Sequence, residues 1–478
     1  MDEGLFERLE TYAARGVLAM HMPGHKRNAG AAGYLAGLGA RLDITEIDGF
    51  DNLHAPEGIL RDAMARAAAL SGSERAYFLV NGATGGILAG VHALTKRGDK
   101  VIVARNSHQA VYHAVELMEL DAAYVLPDFD WATGLIGSVT PEAVEQALCA
   151  HPDARLVIVT SPTYDGAVSD IASIARAAHA RGVPLLVDEA HGAHLGFHPY
   201  FPGGAVRAGA DIVVQSLHKT LPSLTQTAIA HAGGLADPDR FLAALDIFQT
   251  TSPSYLLLAS IDGCIRLIER EGESLFDAWA ARLSRFDELA RALRRIALLG
   301  RGGCARSMFA FDPSKIVLST RGLNLTGPKL MDLLRARHGI ELEMAARDYA
   351  LAMTGLTEPD GALEALAAAL LEIDRECAPA GARDEGGAPF LPERAMSIAQ
   401  ALMMEREVVP VSEAAGRVSA QYAWAYPPGI PLIAPGEVVD IHFVHETARC
   451  LSAGIALRGG PAKGLHWVVR GEQAVAPK

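Results

Sequence analysis

Apolar runs that alternate with helical patterns between about Glu57 and about His231 constrain the fold more than any other feature of this sequence. The runs are short and rich in β-branched residues, for example RLVIVT and DIVVQ. Continuous apolar strands that are separated by helices are typical of a parallel sheet with helices on both faces. We therefore predict an α/β fold with a mostly parallel sheet, in which ligands bind beyond the carboxyl ends of the strands.

The same pattern predicts where the individual elements lie. Strands are expected at residues 75–80, 100–104, 122–126, 155–160, 183–187 and 211–215, and helices at residues 85–96, 108–120, 141–150 and 171–181. After about Pro253 the pattern changes to two long helices, at about residues 255–271 and 274–296. Mixed strand and helix signals follow as far as residue 372.

At 478 residues the chain is too long for one ordinary domain. We predict an N-terminal segment (residues 1–55), a large domain (56–300), a small α+β domain (301–376) and a C-terminal α+β region (393–478). Residues 377–392 are rich in Gly, Pro and Ala and are predicted to be a linker.

The bulk composition excludes several classes of protein. The sequence contains no run of 18 or more uncharged apolar residues, which a membrane span would need. Its acidic N-terminus lacks the basic start and apolar core of a signal peptide. The five cysteines lack CxxC spacing, so we expect free thiols in the cytoplasm and neither a disulfide scaffold nor a metal site. A net charge of -13 disfavours nucleic acid and membranes as partners and suits a cationic substrate.

Two charged motifs directly follow predicted strands. Lys219 lies in SLHKT, and a desolvated lysine amine can form an imine with a carbonyl cofactor, although a surface lysine would be the better interpretation of this motif alone. Asp188 opens DEAHGAH, where a carboxylate can pair with a protonated pyridine nitrogen or simply cap the next segment. A helicase would need a phosphate loop of the form GxxxxGK[ST] besides DEAH, and the sequence has none.

Two further motifs also follow predicted strands. In NGATGG, at residues 81–86, small residues let backbone amides approach an anion at a helix N-terminus. His108, in RNSH, is placed to stack on a flat ring, although a single histidine is more often a capping or core residue. Together, an anion-binding turn, a histidine, an aspartate and a lysine favour a site for pyridoxal phosphate.

Nine motifs from end to end of the chain carry one family resemblance: HMPGHKRN, FDNLHAPEGIL, NGATGG, RNSH, SPTYDG, DEAHGAH, QSLHKTLP, TTSPSY and YPPGIPLIAPGE. On these motifs the sequence resembles the short form of the Orn/Lys/Arg decarboxylase family of fold-type-I pyridoxal-phosphate enzymes. DEAHGAH together with QSLHKTLP is highly specific, whereas the glycine turn is not. The resemblance implies a large domain like that of aspartate aminotransferase, a smaller α+β C-terminal domain, and decarboxylation of a basic amino acid.

The resemblance also implies roles for the matching residues. Lys219 would form a Schiff base with pyridoxal 5'-phosphate and return a proton to the product, and Asp188 would hold the pyridine nitrogen. His108 would stack on the ring, and His191 would lie near its phenolate side. The residues expected at the phosphate are Ala83, Thr84, Gly85, Ser216 and His218, together with Thr251 contributed across the interface of a homodimer or higher homo-oligomer.

Several alternatives stay open at this point. An aminotransferase or an aldolase-type lyase of the same fold would use the same lysine and aspartate, but an aminotransferase usually carries an arginine for the α-carboxylate. A catalytically silent regulatory relative is the alternative from another class. Arginine is slightly favoured over lysine and ornithine as the substrate. Glu341 and Glu343 either bind its distal cation or are solvated surface charges.

Overall fold

The computed structural model describes residues 3–28, 30, 33–301, 307–380, 389–426, 430–452 and 456–473. The chain divides into two compact units. The first unit comprises Met1–Leu94, Pro184–Trp279 and Gly355–Thr357, and the second comprises Thr95–Val183, Ala280–Thr354 and Glu358–Lys478. Each unit is therefore assembled from segments that are distant in the sequence.

The α-helices of the described residues are α1 (Leu5–Ala14), α2 (Ile59–Ser71), α3 (Gly82–Leu94), α4 (Gln109–Leu117), α5 (Pro141–Ala150), α6 (Ile171–His179), α7 (Leu217–Thr220), α8 (Pro238–Phe248), α9 (Tyr255–Ala290), α10 (Gly327–His338), α11 (Ala362–Glu376), α12 (Ile398–Met403) and α13 (Ile441–Ser452). Side-chain caps fix the start of several of them, since Thr140, Asp170 and Asp237 each accept a hydrogen bond from a first-turn amide. Within the described ranges, no helix is long and apolar enough to cross a bilayer.

The β-strands of the described residues are β1 (Arg75–Leu79), β2 (Lys100–Ala104), β3 (Asp121–Val125), β4 (Phe129–Asp130), β5 (Leu135–Ile136), β6 (Val157–Thr160), β7 (Ala167–Val168), β8 (Leu185–Asp188), β9 (Ile212–Ser216), β10 (Ala228–Ala232), β11 (Ala297–Leu299), β12 (Ala310–Phe311), β13 (Lys315–Ser319), β14 (Met344–Ala345), β15 (Tyr349–Met353), β16 (Arg406–Pro410), β17 (Arg417–Ser419), β18 (Ala423–Tyr426), β19 (Ile430–Ile433), β20 (Ala456–Arg458) and β21 (Leu465–Gln473).

In the first unit, strands pair in the order β1-β10-β9-β8. β8 and β9 are parallel, with Leu186 opposite Ile212, whereas β10 is antiparallel to both β9 and β1. Helix α3 packs on this sheet through two glycines. A Cβ at Gly86 would lie 2.6 Å from Leu79 Cδ1, and a Cβ at Gly90 would lie 2.6 Å from Leu186 Cδ1. Small residues are therefore required where the helix touches the strands.

The second unit contains several smaller sheets. β2 is parallel to both β3 and β6. A four-stranded antiparallel sheet has the order β11-β13-β15-β14, and the C-terminal part forms two three-stranded sheets, β16-β21-β17 and β19-β18-β20. Phe311 and Leu351 belong to one hydrophobic cluster of this unit, and Phe443 and Val468 belong to another.

The predicted α/β fold class is confirmed, because parallel pairs of strands alternate with helices and a separate C-terminal region follows. The strand at residues 100–104 and the helix at residues 141–150 have the predicted bounds. The other predicted elements in the alternating region differ from the observed ones by one to three residues at one end or at both.

The prediction of two long helices after residue 253 is wrong. A single helix of 36 residues, α9, runs from Tyr255 to Ala290. The expected break near Gly272 is absent from this helix because a glycine inside a helix costs only about 1 kcal/mol. Ile268 and Phe276 are both buried, so the packed face of the helix continues across the glycine.

The domain boundaries at residues 55, 300, 376 and 392 stay predictions, and residues 381–388 of the expected linker lie outside the described residues. Four of the cysteines are free thiols, namely Cys149, Cys264, Cys377 and Cys450. Cys304 lies outside the described residues.

Candidate functional site

Lys219 lies in α7, a four-residue helical turn that directly follows strand β9. Its side chain is half-buried, and its Nζ lies 2.9 Å from Nε2 of His191. The hydroxyl of the neighbouring Thr220 lies 3.2 Å from Nδ1 of His194. In the first unit, the lysine motif and the DEAHGAH motif are therefore in contact through side chains.

Asp188 is the last residue of β8, the parallel neighbour of β9. Its side chain is 2% exposed, and Oδ1 accepts a hydrogen bond from the Ala190 amide at 3.1 Å. A carboxylate that is buried to this degree needs hydrogen bonds or a cationic partner to remain charged. Asp188 is therefore suited to hold a positively charged group at the carboxyl end of its strand.

The NGATGG motif forms the first turn of α3, which begins at Gly82, three residues earlier than predicted. Gly82 has a φ of +70°, a conformation that favours glycine. Ala83, Thr84 and Gly85 follow in the first turn, and the Thr84 side chain is exposed. Amides in the first turn of a helix have no partner within the helix and lie at its positive end. The turn can therefore bind an anion through its backbone.

Ser216 and His218 flank the start of α7. Ser216 is the buried last residue of β9, and Nδ1 of His218 donates a hydrogen bond to the Thr227 carbonyl at 2.9 Å. Burial lowers the pKa of His218, and the nearby Lys219 lowers it further, while the bond to Thr227 opposes the shift. Since Nδ1 carries a proton, Nε2 of the neutral ring is an acceptor, and His218 must be protonated to donate from Nε2 to an anion.

His108 belongs to the second unit, between β2 and α4. It is the N-cap residue of α4, and its Nδ1 accepts a hydrogen bond from the Ala110 amide at 3.3 Å. Because Nδ1 accepts, Nε2 carries the proton in the neutral ring. The capping role that the sequence left open is present, and stacking on a cofactor stays a prediction.

Thr251 is exposed, in the segment between α8 and α9. The carbonyl of the preceding Thr250 lies 2.9 Å from Nε2 of His54, and Nδ1 of the same ring lies 2.7 Å from Asp246 Oδ1. Because a carbonyl and a carboxylate both accept, both ring nitrogens must donate, so His54 is protonated. Burial alone would lower the pKa of His54, but these two contacts raise it. His54 of the FDNLHAPEGIL motif thus binds the first residue of the TTSPSY segment.

The histidines of HMPGHK make contacts within the protein. His25 lies 3.3 Å from Asp43, and its Nδ1 accepts a hydrogen bond from the Arg27 amide at 3.0 Å. The hydroxyl of Tyr12 lies 3.2 Å from Nε2 of His21. In the described part of the chain, no three His, Cys, Asp or Glu side chains are grouped as metal ligands.

Glu341 and Glu343 are both exposed and both have partners in the protein. Glu341 pairs with Arg335 at 2.6 Å, as a solvated surface charge would. Glu343 accepts a hydrogen bond from the Tyr164 hydroxyl at 2.5 Å, which connects it to the SPTYDG motif. A role for either residue in binding a substrate stays a prediction.

Sequence reasoning missed two buried polar networks. Arg105 pairs with Glu437, and Glu189 begins a chain of hydrogen bonds through Gln215. The available signal was a charged residue at the end of an apolar strand, because such residues are rarely buried without a partner. Arg105 directly follows KVIVA, and Glu189 directly follows Asp188.

Two family models match the sequence. The model described as the Orn/Lys/Arg decarboxylase major domain matches residues 3–299. The model described as the Orn/Lys/Arg decarboxylase C-terminal domain matches residues 388–449.

Individual proteins give the same result. An arginine decarboxylase of Bacillus subtilis is 33% identical over 473 residues, which cover 97% of this chain and 96% of the relative. An arginine decarboxylase of Bacillus anthracis is 31% identical and covers 95% of this chain and 94% of the relative. Among solved structures, lysine decarboxylase A from Pseudomonas aeruginosa shares the fold with a TM-score of 0.80 at 22% identity, over 97% of this chain and 80% of that chain.

Proposed function

Because the chain belongs to the Orn/Lys/Arg decarboxylase family, we propose that it removes the α-carboxylate of a basic amino acid, arginine in the first place, with bound pyridoxal 5'-phosphate. The observation that carries the proposal is the contact of Lys219 with His191 beside the buried Asp188, at the carboxyl ends of β8 and β9. Two arginine decarboxylases that align over nearly the whole chain support arginine as the substrate.

The residues of the first unit fit the chemical parts of this cofactor. The Lys219 amine can form an imine with its aldehyde, and a protonated pyridine nitrogen would give the buried Asp188 carboxylate a charged partner. The first turn of α3, at Ala83, Thr84 and Gly85, suits a phosphate. An amine, a buried carboxylate and an anion-binding turn in one unit are the set that the cofactor requires.

In the proposed mechanism, the chemistry that bound pyridoxal phosphate would supply is an electron sink for the bond to the departing carboxylate. Lys219 would hold the cofactor and would later donate, from Nζ, the proton that takes the place of the carboxylate. His191 Nε2, 2.9 Å from Nζ, can accept a proton from the lysine ammonium and return it. Asp188 would hold the pyridine nitrogen and would favour a positive charge there by electrostatic attraction.

Further residues are proposed to bind and orient. Ser216 and protonated His218 would add to the phosphate site, and Thr251 would reach the phosphate of a second copy of the chain in a homodimer. His108 would stack on the ring, since its Nδ1 contact with the Ala110 amide fixes the imidazole plane. The cytoplasm is the proposed location of the enzyme.

The surroundings of Arg105 favour decarboxylation over transamination. An aminotransferase usually carries an arginine that holds the α-carboxylate, whereas a decarboxylase should leave that group poorly stabilised. Arg105 follows β2 and stands close to His108 in the sequence, but its guanidinium is bound by both carboxylate oxygens of Glu437. It is therefore not available to bind a substrate carboxylate.

The test is product analysis of the purified protein, incubated separately with arginine, lysine and ornithine together with pyridoxal 5'-phosphate. We expect carbon dioxide and agmatine from arginine, and a visible absorbance band of the bound cofactor that is lost in Lys219→Ala. Circular dichroism of Lys219→Ala serves as the control that the fold survives. Carbon dioxide with cadaverine or putrescine instead of agmatine would contradict arginine as the substrate but keep the reaction. Normal turnover of Lys219→Ala, or no cofactor band at all, would overturn the proposal.

A further inference from the structure

A chain of four hydrogen bonds lies in the first unit and starts at the Glu189 carboxyl. Its Oε1 accepts a hydrogen bond from the Ala205 amide at 2.8 Å, and its Oε2 lies 2.7 Å from Nε2 of Gln215. The other end of this amide, Oε1 of Gln215, lies 3.3 Å from Nε2 of His231. The chain ends where Nδ1 of His231 lies 2.9 Å from the hydroxyl of Ser73.

Each link of this chain has a defined direction when Glu189 is ionised. The carboxylate accepts at both oxygens, so Gln215 donates from Nε2 and offers its Oε1 to His231. His231 then carries its proton on Nε2 and accepts the Ser73 hydroxyl proton at Nδ1. Glu189 and His231 are 1% and 2% exposed, so water does not replace these partners.

Three of the four contacts can form in the opposite direction when the Glu189 carboxyl takes up a proton on Oε2. The new O–H donates to Gln215 Oε1 once the Gln215 amide has rotated by half a turn. Gln215 Nε2 then donates to Nε2 of His231, whose proton moves to Nδ1 and is donated to the oxygen of Ser73. Oε1 of Glu189 accepts from the Ala205 amide in both states.

Burial favours the protonated state of Glu189 near neutral pH. It raises the pKa of Glu189 to about 8, against the opposing effect of the hydrogen bonds from Gln215 and Ala205, and the adjacent Asp188 adds a smaller upward shift. The two groups that hydrogen-bond its carboxyl, the Ala205 amide and the Gln215 side chain, are neutral. Burial lowers the pKa of His231 to about 4, so the ring stays neutral.

We propose that Glu189 is a positioning residue of the cofactor site, and that Gln215 and His231 form a reversible relay that keeps its carboxyl bound to Ala205 in both protonation states. The inference rests on the proposed function, since that function is what assigns a task to the residues being positioned.

The bond between Glu189 and Ala205 closes the segment of residues 190–204. This segment carries His191, whose Nε2 lies 2.9 Å from Lys219 Nζ. The relay thus fixes where His191 meets the lysine amine in both protonation states of Glu189.

Amide hydrogen exchange of residues 190–205 tests the positioning role in the full-length, cofactor-free protein. We expect Glu189→Gln to exchange within about twofold of the wild type, because its amide can accept from Ala205 and donate to a rotated Gln215. Glu189→Leu should exchange about tenfold faster, because the Ala205 amide loses its acceptor. Glu74→Gln is the control, because Glu74 also accepts from a backbone amide of this unit, that of Gly234, but is exposed.

Two results of this experiment would overturn the proposal. Wild-type exchange in Glu189→Leu would show that the carboxyl positions nothing. Exchange in Glu189→Gln as fast as in Glu189→Leu would show that the relay does not reverse. Failure of the decarboxylation assay leaves both readouts intact, because they use cofactor-free protein, so the two proposals fail separately.

The tautomer of His231 provides a second measurement that does not depend on whether Glu189→Leu folds. In the wild type above about pH 9, nitrogen-15 NMR should find the His231 proton on Nε2. In Glu189→Gln it should lie on Nδ1 at every pH at which the His231 ring is neutral. The His231 signals are identified by their loss in His231→Gln. The same tautomer in both proteins would contradict the relay.

Discussion

Arg105 and Glu437 form a bidentate ion pair in the second unit, with Nη1 at 2.6 Å from Oε1 and Nη2 at 2.9 Å from Oε2. The two side chains are 3% and 2% exposed. Oε2 of Glu437 also accepts a hydrogen bond from the Ala434 amide at 2.8 Å. The pair joins the motif RNSH to the motif YPPGIPLIAPGE, so the turn that leads to His108 is fixed by the C-terminal part of the chain.

Removal of one partner of this pair should be strongly destabilising. Glu437→Ala leaves the Arg105 guanidinium buried without a counter-charge, which typically costs about 3–5 kcal/mol. Urea unfolding of the cofactor-free protein measures the free energy of unfolding.

A surface pair of the same charges provides the control. Arg470 and Glu405 lie 3.3 Å apart, with side chains that are 59% and 82% exposed. Exposed ion pairs contribute no more than about 1 kcal/mol to the free energy of unfolding, so Glu405→Ala should change that free energy little. Equal losses in Glu437→Ala and Glu405→Ala would refute the assigned importance of the buried pair.

The small residues of α3 should be needed for packing. A Cβ at Gly86 would lie 2.6 Å from Leu79 Cδ1 and 2.9 Å from Val214 Cγ1. Gly86→Ala should therefore destabilise the protein by about 1–3 kcal/mol and weaken cofactor binding, because α3 moves away from the strands. Thermal unfolding and a titration with pyridoxal phosphate measure the two effects.

The matched control is an exposed glycine within another helix. A Cβ added at Gly263 in α9 would have no atom within 4 Å, so Gly263→Ala adds a methyl group without a clash. We expect the free energy of unfolding of Gly263→Ala to rise by roughly 0.5–1 kcal/mol, since alanine favours the helix more than glycine does. A loss of stability in Gly263→Ala similar to that in Gly86→Ala would mean that the clash is not the cause.

The sequence predicts those elements of secondary structure that depend only on neighbouring residues. Continuous apolar runs indicate buried parallel strands, which is why the α/β class and the bounds of the strand at residues 100–104 were predicted correctly. The break at Gly272 was predicted wrongly because glycine lowers helix stability only slightly, and packing of Ile268 and Phe276 outweighs that cost.

Contacts between distant residues could not be predicted. Arg105 and Glu437 are 332 positions apart, and neither motif contains a pattern that indicates the other as its partner. The pairing of Glu189 with Gln215 likewise depends on the parallel register of β8 and β9, which periodicity does not give. The individual site residues could be proposed from motif chemistry, whereas the groups that hold them required the fold.

The charge of Asp188 should matter for turnover more than for the fold. Asp188→Asn keeps the shape and can still accept from the Ala190 amide, but it removes the negative charge proposed to act on the pyridine nitrogen. We expect kcat to fall by about 10²–10³-fold, as for loss of one preorganised electrostatic contact, with a smaller change in KM. Steady-state kinetics with arginine measure both constants. Asp239→Asn, at an 81% exposed side chain, is the control and should leave them unchanged.

The two contacts of the His54 ring, with Asp246 and with the Thr250 carbonyl, should make the free energy of unfolding depend on pH. These contacts raise the pKa of His54 against the opposing effect of burial. The folded protein therefore binds the His54 proton more tightly than the unfolded chain does, so this stabilisation is complete below the ordinary histidine pKa of about 6.5. The stabilisation is lost as the pH rises through the raised pKa of His54 in the folded protein.

The stability difference between the wild type and His54→Gln should therefore be largest at about pH 6 and shrink towards about pH 9. Urea unfolding across this range measures the difference, and His445→Gln is the control for replacing an exposed histidine by glutamine. A difference that stays constant or grows with pH would mean that His54 is neutral in the folded protein. The position of the TTSPSY segment, and with it the proposed reach of Thr251 to a second copy, would then not depend on a protonated histidine.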